Sequence, residues 1–186
     1  MIKRPAVFFD RDGVVNVSPG SGYVLRVADF QLMPGIVDVL AWCKAQGFYT
    51  VLVTSQQGVG KGLMSMAELD AIHDSLQVQL TPHGAAFDRI YSCTELAGQG
   101  TRRKPSPEMI FEAVAALPID LPASALVGDH DRDIQMARNA GLGFAIRLAS
   151  DNAVNETGDV LTHTIAEVMA ALQHWQAGSG GAAQGG

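Results

Sequence analysis

The residue pattern of this chain predicts an α/β fold built on a doubly wound parallel sheet, and three observations lead there. Short apolar, β-rich runs alternate with stretches of helical periodicity, the arrangement of βαβ units. Polar residues follow directly on apolar runs at Asp10, Thr54 and Gly128-Asp129. Those three points therefore fall at one edge of the sheet, the carboxyl edge at which open α/β sheets bind ligands.

Taken in order, strands are expected at Ala6–Phe9, Thr50–Val53, Arg89–Tyr91, Ala125–Val127 and Gly143–Arg147, with a weaker one near Val160–Leu161. The first helix follows Pro34-Gly35, presents Ile36, Val37, Leu40 and Cys43 on one side and stops at Gly47. The second starts at Ser65, where Ser65-Met66-Ala67-Glu68 reads as a capping box, and runs to about Pro82. A third begins at Ser106-Pro107-Glu108, a cap with proline at the first helical position. A fourth spans Arg132–Ala140 and ends at Gly141. The last, Ile165–Trp175, carries Ile165, Val168, Met169 and Leu172 on its apolar face. One domain over residues 1–176 is expected, with a disordered Gly-rich tail at 177–186.

Bulk properties exclude several classes of function. The net charge of −6 argues against a nucleic-acid partner, which would need clustered Lys and Arg. The apolar stretches are far too short to span a membrane. The N-terminus leads straight into the first strand, so no signal peptide is expected. Two cysteines make no disulfide framework, so a cytoplasmic location is expected; a monomer is expected as well. The scarce cations fall in loops, Lys61 among glycines and Arg102-Arg103-Lys104 as the one run of three, where they could meet a small anion.

Four motifs carry chemistry. Asp10-Arg11-Asp12-Gly13 puts two carboxylates on a bend after a buried strand; such a pair repels unless a cation joins it, which implies Mg²⁺. One carboxylate can attack phosphorus while the other moves a proton. Val53-Thr54-Ser55-Gln56-Gln57-Gly58-Val59-Gly60-Lys61-Gly62 is either a cap or an oxyanion-binding loop, and it is not the nucleotide-binding P-loop, because Gly62 follows Lys61. Arg103-Lys104-Pro105 is either a solvated charge run or a fixed cation. Gly128-Asp129-His130-Asp131-Arg132-Asp133 can cap a helix or complete an all-oxygen metal shell, and His130 is equivocal between surface and contact.

Jointly these motifs resemble the haloacid dehalogenase superfamily of phosphatases over Val7 to about Leu148. Asp-Arg-Asp-Gly-x-x-Asn16, Tyr23, Phe30, Pro34-Gly35, Val-Thr-x-Gln-x-Gly and Arg-Lys-Pro are similar to the small subfamily containing heptose-1,7-bisphosphate phosphatase and the histidinol-phosphate phosphatase domain. The resemblance implies Asp10 as nucleophile, Asp12 as acid/base, and Thr54 and Lys104 as stabilisers of the phosphoryl group. It further implies Mg²⁺ on the Asp10 carboxylate, the Asp12 carbonyl and Asp129. Ser55, Gln56, Arg103, His130 and the loop Ser18–Tyr23 would contact substrate, Tyr23 included.

That subfamily usually carries a zinc loop of Cys-x-His and Cys-x-Cys before Arg-Lys-Pro. Here the stretch reads Cys93-Thr94-Glu95 and Gly100-Thr101-Arg102, so no structural zinc is expected. The segments between motifs are used up in building the sheet, which leaves no room for a cap domain; an open site suits a phosphorylated sugar, with histidinol phosphate as the alternative. A phospho-accepting signalling receiver is the rival of another class. There the acid pair comes first, the accepting Asp mid-chain, then Thr and Lys, whereas here the extra acids come last. The phosphatase reading demands that the Asp10 carboxyl and the Lys104 amine lie close enough to share one phosphate.

Overall fold

Residues 2–180 are described by the structure, a computed structural model. Six strands form one parallel sheet: β1 (Ala6–Phe9), β2 (Tyr49–Ser55), β3 (Arg89–Cys93), β4 (Ala125–Gly128), β5 (Phe144–Leu148) and β6 (Val160–Thr162). Their spatial order is β3-β2-β1-β4-β5-β6. The chain winds outward one way from β1 through β2 and β3, and the other way through β4, β5 and β6. The winding reverses between β1 and β4, and a sheet of this order opens its ligand crevice beyond the carboxyl ends of those two strands.

All side chains of β1 are buried and alternate between the two faces. Val7 and Phe9 join the core under α1 (Ile36–Ala45), α3 (Met66–Leu80) and α6 (Ile165–Gly180). Ala6 and Phe8 join the core under α4 (Glu108–Ala116) and α5 (Asp131–Ala140). A strand covered on both faces must be continuously apolar, which is why Ala6-Val7-Phe8-Phe9 reads as a run without alternation.

The predicted elements are all present, with shifted boundaries. β2 continues to Ser55, because Thr54 and Ser55 pair with Ser92 and Cys93 of a correspondingly longer β3. The expected glycine loop after β2 contains one helical turn, α2 (Gln57–Gly60), and Gly60 is required there because a Cβ would collide with the carbonyl of Thr94. The capping box on Ser65 and Glu68 forms as expected, Glu68 N donating to Ser65 Oγ at 3.2 Å and Ser65 N to Glu68 Oε2 at 2.7 Å. α4 begins one residue late: the Pro107 carbonyl accepts from Phe111 N at 3.1 Å, so the proline caps the helix instead of opening it. α6 runs to Gly180, into the segment expected as a disordered tail, anchored by Trp175 stacked on Phe144 with centroids 5.2 Å apart. Residues 181–186 of that tail lie outside the described residues.

Candidate active site

Asp10 leaves β1 at the point where the winding reverses, and its backbone N–H donates to the Val127 carbonyl of β4 at 3.0 Å. Asp129 follows β4 directly. Gly13, at φ +89°, turns the chain between them, and a Cβ at that position would strike the Asp129 carboxylate. Gly128 is equally constrained, because a Cβ there would meet the side chain of Asp133. The two glycines let three carboxylates crowd together.

Carboxylate oxygens of Asp10, Asp129 and Asp133 lie within 4.8 Å of one another, all buried. Lys104 Nζ enters this cluster from the segment after β3, donating to Asp10 Oδ1 at 2.6 Å and to Asp133 Oδ1 at 2.7 Å. The contact required between residues 10 and 104 is therefore direct. Asp133 is spent on Lys104 and on the backbone N–H of His130, which donates to its Oδ2 at 3.0 Å. Asp10 and Asp129 remain as the oxygen donors for a hard divalent cation, and this donor set fits Mg²⁺.

The electrostatics follow from burying three acids around one ammonium. Burial pushes Asp10 up to about 7; Lys104 opposes that shift, and Asp133 and Asp129 add to it. Asp129 is raised too, by burial and then by Asp133. Burial alone would depress Lys104, but Asp10 and Asp133 outweigh it and hold the amine above its ordinary value. The cluster carries surplus negative charge that a divalent cation would relieve.

Asp12 points elsewhere. Its carboxylate accepts from Arg11 Nη2 at 3.1 Å, from Asn16 Nδ2 at 3.0 Å and from Gln56 Nε2 at 2.8 Å. Gln56 Nε2 also donates to Thr54 Oγ1 at 2.8 Å, tying the carboxylate to the hydroxyl at the end of β2. Arg11 is fully buried, with Nη1 3.4 Å from His73 Nε2 of α3. Burial and the Arg11 charge bring the His73 imidazole down to about 4, so the ring is neutral and can accept from the guanidinium.

Asp10, Asp12, Thr54, Ser55, Lys104 and Asp129 all line one cavity of about 150 Å³, together with Ser18, Pro19, Gly20, Gly22 and Tyr23. The Ser55 hydroxyl is buried without a partner among the described residues. The other expected contacts are distributed differently. Arg103 is clamped to α2, its Nε 2.6 Å from the Gln57 amide oxygen when that oxygen faces it. His130 caps α5, Nδ1 accepting from Arg132 N at 3.3 Å, while burial and Arg132 lower its basicity. Tyr23 Oη accepts from Lys61 Nζ at 2.8 Å. Arg102, in the same basic run, pairs bidentately with Glu112 at 2.7 and 2.9 Å. The shortened loop after β3 is fastened by Glu95, which accepts from Arg102 N at 2.9 Å.

Two residues not singled out from the sequence join the site. Arg132 lines the cavity from the first turn of α5. Asn152, in the loop after β5, donates to Asp129 Oδ2 at 3.1 Å, and Ser150 Oγ donates to the Asp129 carbonyl at 3.1 Å. Asp131 fastens that loop through Asn155 N, Glu156 N and the buried Arg147. The usable signal was position: the loop follows a strand end, as the other site segments do.

A strand ending in a buried carboxylate, a hydroxyl, a buried lysine and an acid pair at the reversal of a parallel sheet define a hydrolase of the haloacid dehalogenase type. Residues 6–141 match the model of haloacid dehalogenase-like hydrolases, and the chain belongs to that family. Among relatives, it is 33% identical over 180 residues to D-glycero-beta-D-manno-heptose-1,7-bisphosphate 7-phosphatase of Vibrio cholerae, covering 92% of this chain and 96% of that one. It is 35% identical to D-glycero-D-manno-heptose-1,7-bisphosphate 7-phosphatase of Thermosynechococcus vestitus, covering 92% and 95%. Its fold superposes with a TM-score of 0.80, at 27% identity and covering 92% and 99%, on D,D-heptose 1,7-bisphosphate phosphatase from B. bronchiseptica complexed with magnesium and phosphate. The chain is a phosphatase. Among the described residues, no helix is long and apolar enough to cross a membrane.

Proposed function

We propose that this chain is a Mg²⁺-dependent phosphomonoesterase acting on a phosphorylated sugar, with a heptose 1,7-bisphosphate as the favoured substrate. The observation that carries the reading is Lys104, buried and bonded to both Asp10 and Asp133 beside Asp129. One cation so placed can neutralise an attacking carboxylate and the phosphoryl group it attacks. The substrate class draws its support from the relatives, which are named for heptose bisphosphates along nearly their whole length.

In the proposed reaction an Asp10 oxygen attacks phosphorus in line, forming an aspartyl-phosphate as the bond to the leaving oxygen breaks. Asp12 gives that oxygen a proton and then takes one from the water that hydrolyses the acyl phosphate, releasing inorganic phosphate and restoring Asp10. Thr54 and Lys104 hold the transferring oxygens, and Ser55 is a further donor beside them. Bound by Asp10, the Asp12 carbonyl and Asp129, Mg²⁺ would supply charge neutralisation between the carboxylate and the phosphoryl group. For Asp12 to serve, the substrate must displace part of the Arg11, Asn16 and Gln56 contacts, which at present occupy its lone pairs.

Phosphate release measured with Mg²⁺ across sugar phosphates, histidinol phosphate and nucleotides tests this directly. Turnover of the heptose bisphosphate well above the others, lost in Asp10→Asn and in EDTA, is the expected result. Equal rates across the panel would remove the sugar assignment, and activity persisting in Asp10→Asn would remove the covalent mechanism.

A further inference from the structure

In this acidic protein, cations that lose contact with water are almost all neutralised. Arg11, Lys44, Arg102, Lys104 and Arg147 are buried or half-buried, and each has a carboxylate within 3.2 Å. Arg103, also half-buried, gives its guanidinium to the Gln57 amide oxygen. Arg132 is half-buried, yet its side chain has neither an ion pair nor a hydrogen bond among the described residues, and it faces the cavity that holds Asp10 and Lys104. Holding a guanidinium partly out of water without a counter-charge costs free energy that an anionic ligand would return.

Depth decides which part of a ligand Arg132 meets. Asp10 and Lys104 form the floor, at 9% and 3% exposure. A cavity of about 150 Å³ is smaller than the roughly 300–1,000 Å³ of sites that enclose a whole small molecule. Only the reacting phosphoryl end fits inside, so the body of the substrate lies at the rim with Arg132. Tyr23 lines the same cavity, and its hydroxyl holds the exposed Lys61, another cation with no ion pair among the described residues. The backbone of Arg132 is fixed by His130 Nδ1, and its neighbour Asp131 is locked to the loop after β5, so the guanidinium starts from a rigid base.

We infer that Arg132 is a specificity-determining residue that reads a second anionic group, a phosphate or a carboxylate, on the body of the substrate. The inference rests on the sugar-phosphatase reading and sharpens it. A heptose 1,7-bisphosphate brings such a group to the rim as its reacting phosphoryl enters. Histidinol phosphate brings an ammonium and an imidazole, which the rim cations repel, so this feature selects against the alternative substrate.

The test compares D-glycero-D-manno-heptose 1,7-bisphosphate with the corresponding 7-phosphate, on the wild type, Arg132→Gln and Arg132→Lys, with folding checked by thermal unfolding. Arg132→Gln should lower kcat/KM for the bisphosphate about tenfold to a hundredfold, through KM, while the 7-phosphate changes less than about threefold. Arg132→Lys should recover part of the loss. Equal losses on both substrates would assign Arg132 to the reacting phosphoryl, and no loss on either would leave it without a ligand; both overturn the inference. Calorimetric binding to the Mg²⁺-loaded Asp10→Asn protein separates this from turnover. Should neither heptose phosphate bind, the sugar reading falls, and butane-1,4-diol bisphosphate against butyl phosphate still decides what Arg132 recognises.

Discussion

Lys104 Nζ donates to Asp133 Oδ1 at 2.7 Å, a bond between two side chains that are each 1% exposed. Asp133 is therefore a permanent counter-ion, and the second bond, to Asp10, is the one that chemistry can alter. In the proposed mechanism, esterification would remove the negative charge of Asp10, and Lys104 would stay in place through Asp133 and could follow the phosphoryl oxygens.

Lys104→Met removes the one ammonium among three buried carboxylates. It should cost roughly 10²- to 10³-fold in kcat and about 3–5 kcal/mol in stability, with the stability loss shrinking at acid pH as the carboxylates protonate. Asp133→Asn keeps an acceptor for the His130 N–H and leaves Lys104 paired with Asp10, so its losses should be smaller on both counts. Phosphate-release rates and thermal unfolding read the two quantities. An Asp133→Asn protein more damaged than Lys104→Met would contradict the division of roles.

Asn152 makes a comparable link at Asp129, on the side of the proposed metal site. Its Nδ2 donates to Asp129 Oδ2 and its loop holds the Asp129 carbonyl through Ser150, so both ends of the residue are oriented from outside. Partners of this kind are typically worth 10- to 100-fold in metal affinity. Asn152→Ala should weaken Mg²⁺ binding by about that much, measured by calorimetric titration of the substrate-free protein, with little change in unfolding temperature. Ser150→Ala removes the bond to the Asp129 carbonyl and an acceptor for Asn152 N and Nδ2, but leaves the Asn152 bond to Asp129 Oδ2, and should weaken binding less. Unchanged Mg²⁺ affinity in Asn152→Ala would show the contact to be incidental.

How far the sequence reveals the site depends on what holds each residue in place. Asp10, Thr54 and Asp129 end apolar strands, so local pattern alone brings them to one edge. Lys104 lies in a loop after β3, and only the joint order of motifs distinguishes it from a solvated charge run. Arg11 reads as a spacer between two acids; its burial against Asp12 and His73 depends on how α3 packs, which no local pattern encodes. Asn152 sits among Ser150 and Asp151, a composition that also describes an ordinary solvated turn. Arg132 reads as half of a charged helix start, and what sets it apart is a missing partner, visible only once every neighbour has been placed. The helical turn at Gln57–Gly60 escapes the pattern because Gly60 answers to packing against the Thr94 carbonyl, not to helix propensity.

The same core predicts an unusual dependence of stability on pH. In the folded protein Asp10 titrates near 7, against 3.8 ordinarily. Between those values the fold retains a proton that the unfolded chain has released, so the contribution of Asp10 to stability falls as pH rises; Asp129 acts with the same sign. His73 titrates near 4, against 6.5. Below pH 6.5 the unfolded chain takes up a proton that the buried ring refuses, so its contribution is lost as pH falls toward 4. Each group can contribute a slope of at most about 1.4 kcal/mol per pH unit, and across pH 4 to 6.5 the slopes oppose each other. In EDTA the wild type should therefore show a shallow profile over that interval. Asp10→Asn should unmask a stability that rises with pH, and His73→Gln one that falls. The proposed Mg²⁺ site belongs to the folded state and needs ionised carboxylates, so the metal should raise the unfolding temperature more above pH 7 than near pH 5. Denaturant midpoints at several pH values measure all of these. An Asp10→Asn profile that overlays the wild type would mean that the Asp10 carboxyl is not held above its ordinary range.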